Sequence, residues 1–296
     1  MSVRPPGRGT DLLVGAIDLH VHTAPSLFPR PYDDAETAAL AKEAGMRAVV
    51  VKDHHSPTAV RAYYARKIVP GVEVFGGVAL NSYEGGLNPF IVESELKYGA
   101  RVVWMPTLTA ENHLRVLGAP TFAGYDSTFR VPVEGITVLD AGGKLKPELD
   151  LILEMIRDEN AILGTGHISL EETEALVDRA LEIGVGKILL QHVNFVIPDA
   201  GPDVQKRFTG RGVVMEYSFL PLTPLWWNHP PKVLAEWIQQ VGPQNCVLVT
   251  DIGNMYNPPP PEGFRIFIES LLTEGVSEDA IRTMAHVNPA KLLDLD

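Results

Sequence analysis

The strongest constraint on the fold of this chain is a regular alternation of short β-branched runs with longer amphipathic segments. This alternation is typical of βα units that build a parallel sheet, and not of sandwiches or helical bundles. Several runs are continuously apolar, as in residues 48–51 and 188–190, which predicts strands covered on both faces. The eight predicted strands are residues 15–21, 46–52, 72–80, 101–106, 161–165, 187–191, 212–217 and 246–250.

The segments between these runs carry apolar residues at three- and four-residue spacing, and a glycine stands near the end of most of them. They predict helices at residues 34–44, 89–98, 146–159, 171–183, 231–241 and 261–273. Eight βα steps in about 250 residues predict a (β/α)8 TIM barrel, and the alternative is an open doubly wound sheet.

One interval between strand ends is about twice as long as the others and places an insertion after strand 4, at about residues 110–143. We expect it to contain a hairpin arm at residues 135–139 and to fold over the site as a lid. The whole chain, residues 1–296, is predicted to be a single distorted barrel domain with C-terminal helices at about 261–296.

Composition narrows the range of partners. The net charge of −12 disfavours attraction to nucleic acid or to an anionic membrane, because both need basic residues that neutralise phosphates. No stretch approaches the roughly 18 apolar residues of a membrane span, so the expected location is cytoplasmic. The single cysteine, Cys246, lies in an apolar run and is expected to be a buried, inert thiol. A small-molecule substrate and a homo-oligomer are compatible with these features.

Five residues that can bind metal fall at the ends of predicted strands. Active-site residues of such barrels lie at the carboxyl ends of the strands, where the βα loops converge. His20 and His22 close the first run, and alternation along a strand puts their side chains on one face. The fifth, sixth and eighth runs end in His167, His192 and Asp251.

Imidazole and carboxylate ligands suit Zn²⁺, the preferred ion here, and also Mn²⁺, Fe²⁺ or Ni²⁺. Ligands scattered over four strands indicate a catalytic site open to substrate, since structural sites use four ligands close in sequence. We therefore expect one or two divalent ions.

The order HxH, His, His and Asp at strands one, five, six and eight resembles the amidohydrolase superfamily of metal-dependent hydrolases. The tail at residues 288–293 also looks like the C-terminal helix common in that superfamily. His54-His55 after strand two and Gly-Gly-Leu-Asn-Pro at residues 85–89 look most like a poorly characterised branch. The resemblance implies a hydrolase barrel with a metal site, and it implies no particular substrate.

One departure from the superfamily concerns strand four, where binuclear members carry a lysine or glutamate that bridges two ions. Residues 101–107 contain neither. Two divalent ions with one carboxylate would leave excess positive charge in a site of low dielectric, so a single ion is preferred. Lys52, at the end of strand two, could supply another anion if it were carbamylated. Otherwise Lys52 is expected to contact the substrate or to lie solvated at the rim.

Further residues are candidates because of their positions in the βα loops. One of His54 and His55 is expected to face the pocket as an extra ligand, an oxyanion stabiliser or a proton shuttle. Asn81 and Asn194 are candidates for orienting a substrate carbonyl, although asparagine often only shapes such turns.

For the other polar and aromatic residues, the sequence gives weaker indications of a role at the site. His113 enters the site if the insertion closes, whereas His229 and His286 are expected to be structural or solvated. Trp226 and Trp227 are candidates for an apolar pocket wall or for a subunit contact.

These residues predict hydrolysis of an amide, lactone or ester bond by metal-activated water, with Asp251 moving the proton. A phosphoesterase of the polymerase-and-histidinol-phosphatase type is an alternative, but such barrels usually end in Asp-x-His, and this chain has Asp251-Ile252-Gly253. A metal-dependent decarboxylase and a non-catalytic barrel that binds a small molecule also remain open.

Overall fold

The structure is a computed structural model that describes residues 7–122 and 131–295. In these ranges nine strands pair in parallel, in one group of three and one group of six. Every predicted strand is confirmed to within about two residues, and the third is divided in two. The strands are β1 (Ile17–His22), β2 (Ala48–Lys52), β3 (Glu73–Phe75), β4 (Gly77–Ala79), β5 (Val102–Trp104), β6 (Ile162–Gly164), β7 (Ile188–Leu190), β8 (Val214–Ser218) and β9 (Cys246–Val249).

Backbone hydrogen bonds connect the last strand to the first. The amide of Asp251 donates to the carbonyl of His20 at 2.8 Å, and the amide of His22 donates to the carbonyl of Ile252 at 2.9 Å. The group of three strands runs directly into the group of six, because only Gly76 separates β3 from β4. The predicted α/β barrel class is confirmed, with a ladder interrupted at Gly76.

Helices alternate with the strands, and the six predicted helices are confirmed to within about two residues. Aspartate and serine caps begin two of them: Asp33 before α2 and Ser169 before α7 each form a capping box. Among the described residues no helix is long and apolar enough to cross a bilayer. The helices are α1 (Arg8–Leu13), α2 (Asp34–Glu43), α3 (Ala59–Ile68), α4 (Pro89–Lys97), α5 (Glu111–Leu117), α6 (Glu148–Asp158), α7 (Leu170–Ile183), α8 (Pro202–Thr209), α9 (Pro231–Val241), α10 (Pro260–Thr273), α11 (Glu278–Arg282) and α12 (Asn288–Leu293).

Helix α3 was not predicted, because its buried residues are small and its large residues are exposed. Its buried positions are the alanines Ala59, Ala62 and Ala65, whereas Tyr63 and Tyr64 are exposed. Small side chains on the buried face remove the periodicity of large apolar residues from which helices are recognised. Helix α12, expected from the resemblance alone, is present.

Apolar side chains inside the ring of strands close its amino-terminal end. Ile17 and Leu19 of β1 pack there with Val247 of β9, and Leu292 and Leu293 of α12 join the same cluster. The opposite end, where the strands finish, carries the buried polar residues. A second apolar cluster, between the strands and the helices, includes the buried Cys246. Burial raises the pKa of the Cys246 thiol, in agreement with an inert residue.

The insertion between β5 and β6 contains α5 and an irregular segment. Ile136 bridges Ala110, and Leu139 bridges Leu145, so the predicted hairpin arm forms only isolated bridges in the described part of the insertion. Glu172 at the start of α7 accepts a hydrogen bond from the amide of Val138 at 2.9 Å. Residues 123–130 of the insertion lie outside the described residues, and the predicted lid stays a prediction.

Gly253 lies where the last strand meets the first. Its φ is +139°, and a Cβ at this position would lie 1.8 Å from the carbonyl oxygen of His22. We expect Gly253→Ala to lower the free energy of unfolding by more than about 3 kcal/mol, because both backbone strain and a backbone clash oppose the side chain. Denaturant unfolding measures this loss.

Gly99→Ala is the matched control, since Gly99 has a φ of +91° but nothing within 4 Å of the position that a Cβ would take. It isolates the cost of the positive φ, about 1 kcal/mol. Equal losses in the two variants would show that the contact between Gly253 and His22 does not hold the ring together.

Candidate metal centre

His20 and His22 come together at the end of β1. The register of β1 against β2 shifts between Asp18 and Val21, and such bulges re-aim side chains near functional sites. The two imidazole rings face the same space, with centroids 5.1 Å apart, and both side chains are buried. The shared face that alternation predicted is therefore observed.

Asp251 completes this pair from the far end of the chain. It follows β9 with a φ of +55°, and its Oδ1 lies 3.0 Å from His20 Nε2 and 3.1 Å from His22 Nε2. The possible ligand atoms of the three residues all lie within 4.8 Å of one another. Burial opposes ionisation of the carboxyl group, but His20 and His22 hold the pKa of Asp251 well below its usual range.

Hydrogen bonds behind the two histidines orient their rings. Nδ1 of His20 lies 3.0 Å from Glu216 Oε1, and Nδ1 of His22 lies 3.2 Å from the carbonyl oxygen of Lys52. Both oxygens can accept a proton from Nδ1, and that tautomer would leave each Nε2 with a lone pair for an ion in place of its contact with Asp251. This is the usual arrangement of histidines that bind metal, in which a carboxylate or carbonyl fixes the tautomer.

The charge state of these rings differs. Burial lowers the pKa of His20, but Asp251 and Glu216 outweigh it and raise the value overall. Burial first, and then the charge of Arg30, lowers the pKa of His22 to about 3. A divalent ion at His20 Nε2 would take the place of the proton that the two carboxylates favour there.

His192 is a buried imidazole with no hydrogen bond at either nitrogen among the described residues. Its backbone amide donates to Glu216 Oε1 at 3.2 Å, and its ring lies 5.0 Å from that of His167 and 6.1 Å from that of His20. Burial lowers its pKa to about 4, so the ring is neutral. A neutral buried imidazole without a partner fits a metal ion, because an unsatisfied polar group is costly in the interior.

His167 is oriented by His113, which α5 carries into the site. The rings are nearly parallel, with 2.7 Å between the two Nδ1 atoms, and His113 Nε2 lies 3.3 Å from the carbonyl oxygen of Thr121. Burial lowers the pKa of both histidines, so both are neutral. Thr121 can only accept, which puts the His113 proton on Nε2; His167 must then donate from Nδ1, and its Nε2 keeps the lone pair.

Lys52 ends β2 beside these residues and is completely buried. Its Nζ lies 3.1 Å from His20 Nε2 and 5.0 Å from the centre of the Trp104 ring. Burial lowers its pKa to about 8, against the opposing effect of Asp251 and Glu216. The residue lines the cleft above the centre, while its role stays a prediction.

Glu216 on β8 is the residue that sequence reasoning missed. It is completely buried and contacts both His20 and the backbone of His192. The available signal was a single carboxylate within the otherwise apolar run 213–217, where burial of a charge requires a partner.

The side chains of the two adjacent histidines after β2 point to different surroundings, as expected. His54 lines the cleft, stacks on His22 at 4.6 Å and has its Nδ1 2.9 Å from Thr107 Oγ1. His55 instead packs against Phe28 and Tyr83, with centroid distances of 4.9 and 4.7 Å. The catalytic role predicted for His55 gains no support from this position.

The two candidate asparagines hold loops together. Asn81 donates to His54 O and Thr107 Oγ1 and accepts from the amides of Thr107 and Thr109. Asn194 donates to the carbonyl of Ser218 and accepts from its amide. Because these bonds occupy both amide groups, the predicted substrate contacts of Asn81 and Asn194 are not supported.

The remaining candidates divide as follows. Trp226 lines the cleft, whereas Trp227 is largely exposed. His229 pairs with Asp199 at 2.7 Å, and His286 lies 2.7 Å from the carbonyl oxygen of Leu12. These two histidines are structural, as expected.

Sequence comparison assigns the chain to a family. Residues 15–216 match a family described as "Family of unknown function (DUF6282)". The chain belongs to this family. The matched segment of the family includes His20, His22, His167, His192 and Glu216, and it ends before Asp251. No curated protein matches the chain.

Solved structures show that this family member has the fold of the amidohydrolase superfamily. An amidohydrolase from Pseudomonas aeruginosa matches with a TM-score of 0.62 and 13% identity over 96% of this chain and 98% of that one. The 2,6-dihydroxybenzoate decarboxylase from Rhizobium gives 0.57 and 12%, over 96% and 99%. The organophosphorus hydrolase from Deinococcus radiodurans gives 0.57 and 13%, over 95% and 92%. The likeness is one of fold, and it agrees with the resemblance drawn from the strand-end residues.

Glu216→Gln tests the orientation of His20. The variant removes the charge behind Nδ1 and is expected to weaken zinc binding roughly 10- to 100-fold, as measured by competition with a chelator. Glu95→Gln is the control, because Glu95 is also buried but accepts from the amide of Ala59, away from the centre. Equal zinc affinity in the two variants would remove Glu216 from the site.

His113→Phe tests the orientation of His167. The phenyl ring keeps the stacking but cannot accept the proton on His167 Nδ1, so nitrogen NMR shifts of His167 in the metal-free protein should change from the Nδ1-H tautomer to a mixture. His286→Phe should leave them unchanged. A His167 tautomer that is unaffected by His113→Phe would contradict the orientation.

Proposed function

We propose that the chain is a metal-dependent enzyme that hydrolyses an amide, lactone or ester bond of a small molecule. The observation that supports this proposal best is the convergence of His20, His22 and Asp251, with a hydrogen-bond acceptor behind Nδ1 of each histidine. Histidine and carboxylate ligands with no thiolate are typical of catalytic sites that keep a position for water.

One ion is proposed at the centre, with Zn²⁺ as the first candidate. His20, His22 and Asp251 would hold it, and His167 and His192 are the further ligands because each keeps a lone pair on a neutral ring. Lys52 argues against a second ion, since its Nζ lies 3.1 Å from His20 Nε2 and already brings a cation into the site. An additional divalent charge beside a buried ammonium would be poorly compensated.

A divalent ion in this position supplies Lewis acidity, which lowers the pKa of water and polarises a carbonyl group. Asp251 supplies the base. Its Oδ1 faces the two histidines, and the carboxylate lines the cleft, so Oδ2 is the atom that takes the proton of the water and returns it to the leaving group. No serine, cysteine or lysine nucleophile is needed.

His54 and Lys52 are proposed to act on the substrate. Both line the cleft, and burial holds the pKa of His54 well below its usual value, so its neutral ring can pass or accept a proton. Lys52 can donate to an oxygen that gains negative charge in the transition state.

Decarboxylation is the second candidate reaction. It is favoured by the two cationic side chains, Arg30 and Lys52, that line the cleft, since they can hold a carboxylate. A solved structure with this fold is named as a 2,6-dihydroxybenzoate decarboxylase.

The reaction is tested by a panel of amides, lactones, esters, phosphoesters and aryl carboxylates offered to zinc-loaded protein. We expect hydrolysis of an amide, lactone or ester that stops on chelation and returns with zinc. Release of carbon dioxide alone would establish the second candidate, and stoichiometric zinc without any turnover would favour a binding barrel.

Asp251→Asn should lower the rate on the substrate found in the panel by about 10²- to 10⁴-fold, because the amide cannot take the proton. Elemental analysis should still find zinc. Asp199→Asn is the matched control, since Asp199 has a similar φ of +51° and lies outside the centre. An unchanged rate in Asp251→Asn would remove this residue from the mechanism.

A further inference from the structure

The cleft above the metal centre has a chemical character of its own. It encloses about 450 Å³, part of it open to solvent, which suits a small molecule. Arg30, from the loop before α2, lines this cleft together with His22, Lys52 and Asp251. Its Cζ lies 5.7 Å from the centre of the Phe28 ring.

One wall of the cleft is a continuous series of aromatic rings, the aromatic arc, made of Phe28, Phe122, Trp226 and Phe195. Successive centroids are 6.2, 5.4 and 5.7 Å apart. The arc begins beside Arg30 and ends at His192, whose ring lies 5.6 Å from that of Phe195. Its members meet edge to face, at interplanar angles of 64°, 85° and 71°, so this wall offers both ring faces and ring edges to an aromatic body.

Two of the three charged side chains that line the cleft are cationic. Arg30 and Lys52 are cationic and Asp251 is anionic, and a divalent ion would add to the positive side. Arg30 acts on the centre itself, since its charge contributes to lowering the pKa of His22, His54 and Lys52. A guanidinium is the side chain best matched to a carboxylate, because its planar fork donates two parallel hydrogen bonds.

We propose that the cleft binds a planar carboxylic acid, with its carboxylate on Arg30 and its ring against the aromatic arc. The inference rests on the proposed function for the reaction that follows, and it names the substrate class: an aromatic or similarly flat acid whose reacting group reaches the metal centre. Binding of the acid requires only side chains of this chain.

The test is calorimetric binding of benzoate and 2-naphthoate, each compared with its neutral amide, to chelator-treated protein. We expect both acids to bind at least about tenfold more tightly than benzamide and 2-naphthamide. Arg30→Met should remove that difference and leave amide binding unchanged, and Arg30→Lys should retain part of it. Circular dichroism verifies that both variants are folded.

Arg101→Met is the matched control. Arg101 also lies over an aromatic ring, that of Phe75 at 5.9 Å, but it precedes β5 at the opposite end of the strands. This variant should bind the acids as the wild type does. Trp226→Ala should weaken binding of acids and amides alike, because it removes part of the aromatic arc.

Three results would overturn the proposal: wild-type protein that binds acids and amides equally, acids that bind Arg30→Met as tightly as the wild type, or no binding of either acid. The zinc-loaded protein is titrated in parallel, and acid binding that appears only there and survives Arg30→Met would assign the carboxylate to the ion. Failure of the hydrolysis panel with acid binding intact would overturn the proposed function and leave this inference standing.

Discussion

The candidate site depends on the contact between the first and the last strand. The hydrogen bond from the amide of Asp251 to the carbonyl of His20 joins residues 231 positions apart in sequence, and it places the carboxylate against both imidazoles. Gly253 allows the backbone after β9 to approach His22 closely enough for this. Fold and site therefore share one constraint: a chain that did not join β9 to β1 would have the ligands but no centre.

The second requirement is that each imidazole ring have a nitrogen lone pair directed at the centre. Three acceptors orient three of the rings: the Glu216 carboxylate for His20, the Lys52 carbonyl for His22 and the neutral His113 for His167. His192 has no hydrogen-bond partner for its ring among the described residues. With the Nδ1 proton donated to these acceptors, His20, His22 and His167 would each present an Nε2 lone pair to an ion. The arrangement is pre-organised, and an ion that binds here has no ring to reorient.

Strand positions, the parallel arrangement and the strand-end residues could be predicted from sequence because their signals are local. An apolar run between turn residues identifies a strand, and the residue that follows it is then near the carboxyl end of the barrel. His20, His22 and Asp251 were placed together on that basis, and so was the separation of His54 from His55. Contacts that depend on the course of a loop could not be predicted in this way.

His113 and Arg30 illustrate this limit. His113 lies on a seven-residue helix in an irregular insertion, and only the fold of that insertion brings it onto His167. Arg30 lies in the loop between β1 and α2, eight residues after the end of β1. Asn81 and Asn194 mark the same limit, because a position in the correct loop does not determine whether a side chain faces the cleft or ties the loop to its neighbour.

The buried charges also support the proposal of one ion rather than two. Asp251 and Glu216 supply two carboxylates to the interior, and Lys52 contributes one cation next to His20. One divalent ion leaves a modest positive excess, which an anionic substrate on Arg30 can balance when it binds. A second ion would increase the excess with no further carboxylate on β5 to offset it, because that strand ends in Trp104. Under that proposal the lysine at the end of β2 would take the electrostatic place of a second metal, and the substrate would complete the charge balance.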